Sequence, residues 1–96
     1  MKVIKRDGTE VQFSTDKIMD ALHAANNDVS DNDSIGYEEA QSLAGRIGTR
    51  CRQLARSVSV EEIQDMVIDE LDKAEAHRLA RHYSDYRLRH ELLRKQ

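Results

Sequence analysis

Val3-Ile4-Lys5-Arg6-Asp7-Gly8-Thr9-Glu10-Val11-Gln12-Phe13, running on into Ser14-Thr15-Asp16-Lys17-Ile18, is the stretch on which the fold turns. Asp7-Gly8 stands between two short apolar runs. This dipeptide accepts the positive φ values of a two-residue hairpin turn. Such a turn pairs Ile4 with Val11 and Lys5 with Glu10. It sets Ile4, Val11 and Phe13 mainly on one face, and Val3 and Lys5 on the other. The second strand leads straight into a helix, where the hydroxyl of Ser14 or Thr15 can accept from the first N–H groups. Lys5 and Arg6 then lie on a small ribbon beside a helix start that carries Lys17. That arrangement suits a lid over a phosphate-bearing ligand. Taken alone, Lys5-Arg6-Asp7-Gly8 reads more plainly as a solvated turn.

Four helices are expected outward from this point. The first covers 15–26, with Ile18, Leu22 and Ala25 one turn apart and Asn26-Asn27 as a left-handed stop. An acidic stretch, 28–33, reads as a loop. Asp33 or Ser34 then caps a second helix over 34–56. Its stripe of Ala40, Leu43, Ala44, Ile47, Cys51, Leu54 and Ala55 holds helical period over four turns. Gly45 and Gly48 interrupt it, at about 1 kcal/mol each relative to Ala, and permit close approach of a neighbouring helix or of a ligand, with close packing the favoured reading. Ser57-Val58-Ser59-Val60 is β-favouring and can supply a third strand or simply connect. Ser59 and Glu62 form a capping box for a third helix over 60–73, with Ile63, Met66, Val67 and Leu71 inward. A fourth helix covers 76–94 and is rich in arginine. The carboxylates of the third helix and the arginines of the fourth are expected to pair across the bundle, the alternative being that some of these arginines face a bound phosphate. The fold class is α+β, mainly α: a four-helix bundle capped by a small antiparallel β-hairpin or a three-stranded sheet, as one domain over 1–96.

Composition narrows the function classes. Of 96 residues, 39% are hydrophobic and 34% charged, with no proline or tryptophan and four glycines. This is one modest core under a well-solvated surface. The net charge of −3 argues against nucleic acid as a partner. The single cysteine excludes an internal disulfide and a cysteine-based zinc site. No apolar run reaches the ~20 residues of a membrane span, and no signal peptide is visible. The cytoplasm fits all of this.

No catalytic constellation is present. His23, His77, His82 and His90 never fall at the i, i+4 spacing of a helical zinc site. No glycine-rich phosphate loop follows a strand. No catalytic or metal-ligating residue is therefore assigned, and binding or regulation is the expected class.

Three blocks then carry a resemblance. They are Val3-Ile4-Lys5-Arg6-Asp7-Gly8 with Val11, Phe13, Lys17 and Ile18; Val58-Ser59-Val60-Glu61-Glu62-Ile63-Gln64-Asp65-Met66-Val67; and Leu79-Ala80-Arg81-His82-Tyr83-Ser84-Asp85-Tyr86-Arg87. In this order they resemble the ATP-cone domain, the regulatory domain at the N-terminus of many ribonucleotide reductases. The resemblance implies a helical bundle capped by a small sheet. It implies allosteric control by ATP, which supports activity, and dATP, which switches it off, usually through a change of oligomer. Its implied partners are the adenine nucleotide, a reductase catalytic domain or subunit, and further copies of the chain, with Mg²⁺ as companion of the triphosphate. The closing tyrosine-arginine pattern is most similar to the anaerobic, glycyl-radical reductases. Position by position, the implied nucleotide contacts are Val3, Lys5, Arg6, Ser14, Lys17, Ile18, Val60, Ile63, Arg87 and Arg89. Lys5, Arg6 and Lys17 would meet phosphates, Arg87 and Arg89 would complete the phosphate site, and Ile18, Val60 and Ile63 would wall the base. Ser14 departs from the family, which usually has Asp or Asn there. No zinc ribbon precedes the first strand, as it does in the family's transcriptional repressor. The rival reading is a helical interaction or oligomerisation module, or a transcription-regulator fragment, that binds no nucleotide.

Overall fold

The computed structural model describes residues 1–94, with side chains described through Asp85. In chain order the elements are β1 (Lys2–Ile4), β2 (Glu10–Gln12), α1 (Thr15–Asn27), α2 (Tyr37–Leu54), β3 (Val58–Ser59), α3 (Val60–Lys73) and α4 (His77–Arg94). The architecture is α+β, mainly α. The sheet has the order β2-β1-β3, with β1–β2 antiparallel and β1–β3 parallel. Parallel pairing requires a long crossover, here supplied by β2, α1 and α2. Val58 faces Val3 across the parallel pair, and both are buried.

The hairpin departs from its expected register by one residue. Val3 pairs with Val11 and Ile4 with Glu10. The turn is a three-residue loop, with Lys5 N donating to Thr9 O at 2.8 Å and Gly8 N to Lys5 O at 3.0 Å. Gly8 alone in the loop takes positive φ, 85°. A two-residue turn would have forced Asp7 into that region as well. Instead the Asp7 carboxylate accepts from Thr9 N at 3.0 Å and from the Thr9 hydroxyl at 2.6 Å. These bonds hold its pKa below the ordinary range and fix the longer loop. A one-residue slip exchanges the faces of a strand. Val3 and Lys5 therefore share the inner side with Val11 and Phe13, which the shorter turn would have denied them.

The α2 boundaries also differ from expectation. Neither Asp33 nor Ser34 caps it: the N-cap is Gly36, and Ser34 bonds back to Asp31 O. Asn26 causes this shift. Its side chain donates to Ile35 O at 2.9 Å and accepts from Ile35 N at 3.0 Å. Buried Ile35 is thus pinned against α1, and the helix can begin only beyond it. At the other end Ala55 takes a left-handed φ of 55° and closes α2. Leu54 and Ala55 consequently leave the inward stripe, and both are exposed. The α1 stop, by contrast, is not left-handed as expected; Asp28 caps it at φ −99°.

Leu22, Leu43, Ile47, Val67, Leu71 and Leu79 form the fully buried centre between the four helices. Cys51 is buried with them, its Sγ 3.7 Å from Met66 Sδ, and burial pushes its thiol pKa up. Gly45 is not a packing site, because a Cβ there would meet nothing within 4 Å. Gly45→Ala is therefore expected to stabilise the chain by about 0.5–1 kcal/mol, the helix-propensity difference, read as a rise in the urea midpoint. At Gly48 the added Cβ would touch Phe13 at 3.5 Å.

Among the described residues, the α3 carboxylates Asp69 and Glu70 pair with α2. Arg46 reaches buried Glu70 at 2.7 Å, and Arg50 reaches Asp69 at 2.9 Å and Glu70 at 3.1 Å. Toward α4, His77 meets Asp72 at 3.0 Å, while Arg78 lies 3.6 Å from Asp33 in the loop. No helix among the described residues is long and apolar enough to cross a membrane.

The capping box at α3 forms in full. Glu62 N donates to Ser59 Oγ at 3.1 Å, and Ser59 N donates to Glu62 Oε1 at 3.2 Å. Arg56 adds a bond to Glu62 Oε2 at 2.7 Å. Together they lower the Glu62 pKa from 4.5 to about 2, the Arg56 bond contributing most. A depressed carboxylate contributes stability above its unfolded pKa and loses it as pH falls through the folded one. Glu62→Gln is thus expected to lower the thermal midpoint at neutral pH. Its difference from the wild type should narrow between pH 4.5 and about 2, as circular-dichroism melts would show.

Candidate functional site

The sheet does not lie flat on the bundle. Beneath the hairpin a cavity of about 250 Å³ opens between β1, β2, α1, α3 and α4. Its upper wall is Val3, Val11 and Phe13, its side walls Ile18 and Ala21 from α1 and Val60 and Ile63 from α3, and Tyr83 contributes from α4. Lys5, Gln12, Ser14, Lys17 and Gln64 are the polar residues of the lining. Lys5 and Lys17 are exposed, so their ammonium groups stand at the solvent side of an apolar recess. No acidic residue is among the lining residues described. An anion entering here therefore meets two cations and no carboxylate among the described lining residues.

Local structure explains this convergence. The three-residue hairpin loop turns Lys5 inward with Val3. Ser14 is the N-cap of α1 in extended conformation, φ −142° and ψ 120°, but its side chain makes no cap bond, contrary to expectation. The first N–H groups of α1 thus lack that partner, and they add partial positive charge beside Lys17. One turn of α1 separates Lys17 from Ala21, and one turn of α3 separates Val60 from Gln64. Each pair projects from one helix face.

Gln64 differs from the other lining residues. Its Oε1 is buried and has no hydrogen-bond partner among the described residues. A buried orphan acceptor costs about 1–3 kcal/mol. A ligand donor inside the cavity would offset that cost.

The structure brings Val3, Lys5, Ser14, Lys17, Ile18, Val60 and Ile63 together around this one recess. Arg6 is not in its lining. Its Nε instead meets Glu61 Oε1, at the start of α3, at 2.9 Å. The side chains of Arg87 and Arg89 lie outside the described residues. Sequence reasoning had passed over Gln12, Ala21, Gln64 and Tyr83 as site residues. For Ala21 and Gln64 the signal was available, since each follows a selected residue by one helical turn.

The family model for the ATP cone domain matches residues 1–92. The chain belongs to the ATP-cone family. A vitamin B12-dependent ribonucleoside-diphosphate reductase of Thermoplasma acidophilum is 40% identical to it over 70 residues, which is 73% of this chain and 9% of the reductase. The chain thus spans about a tenth of the length of that curated relative. Family membership carries a coarse function: an ATP-cone is a regulatory domain that binds adenine nucleotide. The cavity described here lies entirely within the matched residues.

Proposed function

We propose that this ATP-cone binds ATP or dATP in the cavity beneath the hairpin, and that occupancy controls the activity and oligomeric state of a ribonucleotide reductase. The observation that carries this reading is the division of the recess: apolar walls and an orphan acceptor within, two lysines at the mouth, and no carboxylate in the described lining. An adenine nucleotide has the same division. Its base packs between Ile18, Val60 and Ile63, and a base amine or sugar hydroxyl donates to Gln64. The charged tail remains outward against Lys5 and Lys17, with Mg²⁺ carried on the triphosphate. The cavity approaches the ~300 Å³ at which ligand pockets begin, enough for the nucleoside portion with the phosphates at the rim. Arg6, Arg87 and Arg89 remain proposed phosphate contacts, and Ser14 a proposed contact at the helix start.

Control follows if the ligand binds one conformation or assembly more tightly than another. The proposed host is an anaerobic, glycyl-radical reductase, on the strength of the closing sequence pattern in which Tyr86-Arg87 is followed by His90-Glu91. The Thermoplasma relative supports a vitamin B12-dependent host as the second reading. The proposed compartment is the cytoplasm. Calorimetric titration of the chain with ATP and with dATP tests the binding. Saturable heat is expected from at least one of them. Silence with both, and no thermal shift, would leave a helical interaction module in its place.

A further inference from the structure

We infer that Glu61 competes with the ligand's phosphates for the Arg6 guanidinium, and that this competition holds down the affinity of the site for nucleoside polyphosphates. This rests on the nucleotide reading above. Arg6 directly follows Lys5, which lines the cavity, yet its guanidinium is held on Glu61 at 2.9 Å. Glu61 directly follows Val60, which walls the same cavity. The pair therefore ties the hairpin turn to the start of α3 at the cavity's margin. Neighbouring Glu62 is engaged by Ser59 N and Arg56, so Glu61 is the carboxylate of this turn that meets the hairpin.

The pair is suited to exchange. Its side chains are 26% and 38% exposed, and ion pairs of that exposure contribute little net stability. A guanidinium fork donates to phosphate oxygens as readily as to a carboxylate. A nucleoside with one phosphate brings too little charge to draw Arg6 away from Glu61. A triphosphate, already facing Lys5 and Lys17, adds enough charge to take the guanidinium over. Glu61 thus raises the threshold of ligand charge at which Arg6 joins the site.

Calorimetry of the full chain with ATP, ADP and AMP tests this, using Glu61→Gln, Arg6→Ala and the double variant. Gln keeps the shape of Glu61 and removes its charge. Glu61→Gln is expected to tighten ATP binding about three- to tenfold, with a smaller gain for ADP and almost none for AMP. In the Arg6→Ala background the same substitution should gain little. Unchanged or weaker ATP binding by Glu61→Gln overturns the inference while leaving the nucleotide site intact. An equal gain for AMP overturns it too, as does a full gain retained without Arg6, because Glu61 would then act by direct repulsion. Failure of the unsubstituted chain to bind any of the three nucleotides is a separate outcome, and it removes the nucleotide reading itself.

Discussion

Leu22→Ala is expected to lower the stability of the chain by about 2–5 kcal/mol, the range for emptying a fully packed leucine site. Leu22 is 0% exposed and stands on α1, one turn beyond Ile18. Helix α1 packs on both α2 and α4, so the void would open where three helices meet. Domains of this size hold about 5–15 kcal/mol in total, and a loss near the upper bound would unfold a large fraction of the chain at physiological temperature. Urea unfolding followed by circular dichroism measures it. A loss under about 1 kcal/mol would mean that α1 does not seat on the bundle as described. One side wall of the cavity depends on that seating, since Ile18 and Ala21 belong to the same helix.

Lys5→Ala has the second large expected effect, on binding rather than folding. Lys5 is exposed and lies at the mouth of the recess. In the proposed binding mode its ammonium makes a charge-assisted bond to phosphate, worth about 1.5–3 kcal/mol. ATP affinity should therefore fall roughly 10- to 150-fold, by the conversion of about 1.4 kcal/mol per tenfold. The melting temperature without ligand should barely move, because an exposed lysine on a turn contributes little to the core. Unchanged ATP affinity in a folded variant would place the phosphates elsewhere. The two substitutions thus separate the scaffold from the site.

Much of this arrangement was legible in the chain, and the physical reasons are specific. Ile18, Leu22 and Ala25, and then Ala40, Leu43, Ala44, Ile47 and Cys51, repeat at helical period because they share one buried interior. Ser59 and Glu62 announce the start of α3 because both bonds of a capping box lie within four residues. Local chemistry of this kind can be read without knowing the fold. The hairpin register could not be read in this way. It depends on whether Thr9 or the turn backbone satisfies the Asp7 carboxylate, and Asp-Gly suits both loop lengths. The start of α2 was hidden for a different reason. Asn26 reaches across nine positions to clamp Ile35, and no window around Ser34 contains that constraint.

The site shows the same division. Val3, Lys5, Lys17, Ile18, Val60 and Ile63 are reached through two separated motif blocks, and the tertiary fold brings them around a single recess. Arg6 was legible as a cation beside the site, but its partner was not. Glu61 lies 55 positions away in the sequence, and only the packing of the hairpin against α3 makes them neighbours. Gln64 was overlooked because polarity on a helix face ordinarily means solvent. Its significance appears only when its carbonyl oxygen proves to be buried without a partner.

Backbone amide shift mapping during an ATP titration locates the nucleotide directly. Val3, Lys5, Lys17, Ile18, Val60, Ile63 and Gln64 should move together and saturate at one affinity, with Leu43 and Ile47 deep in α2 nearly still. Shifts confined to another surface, such as the groove of Asn32, Glu39 and Arg78 between the acidic loop and α4, would contradict a nucleotide seated beneath the hairpin.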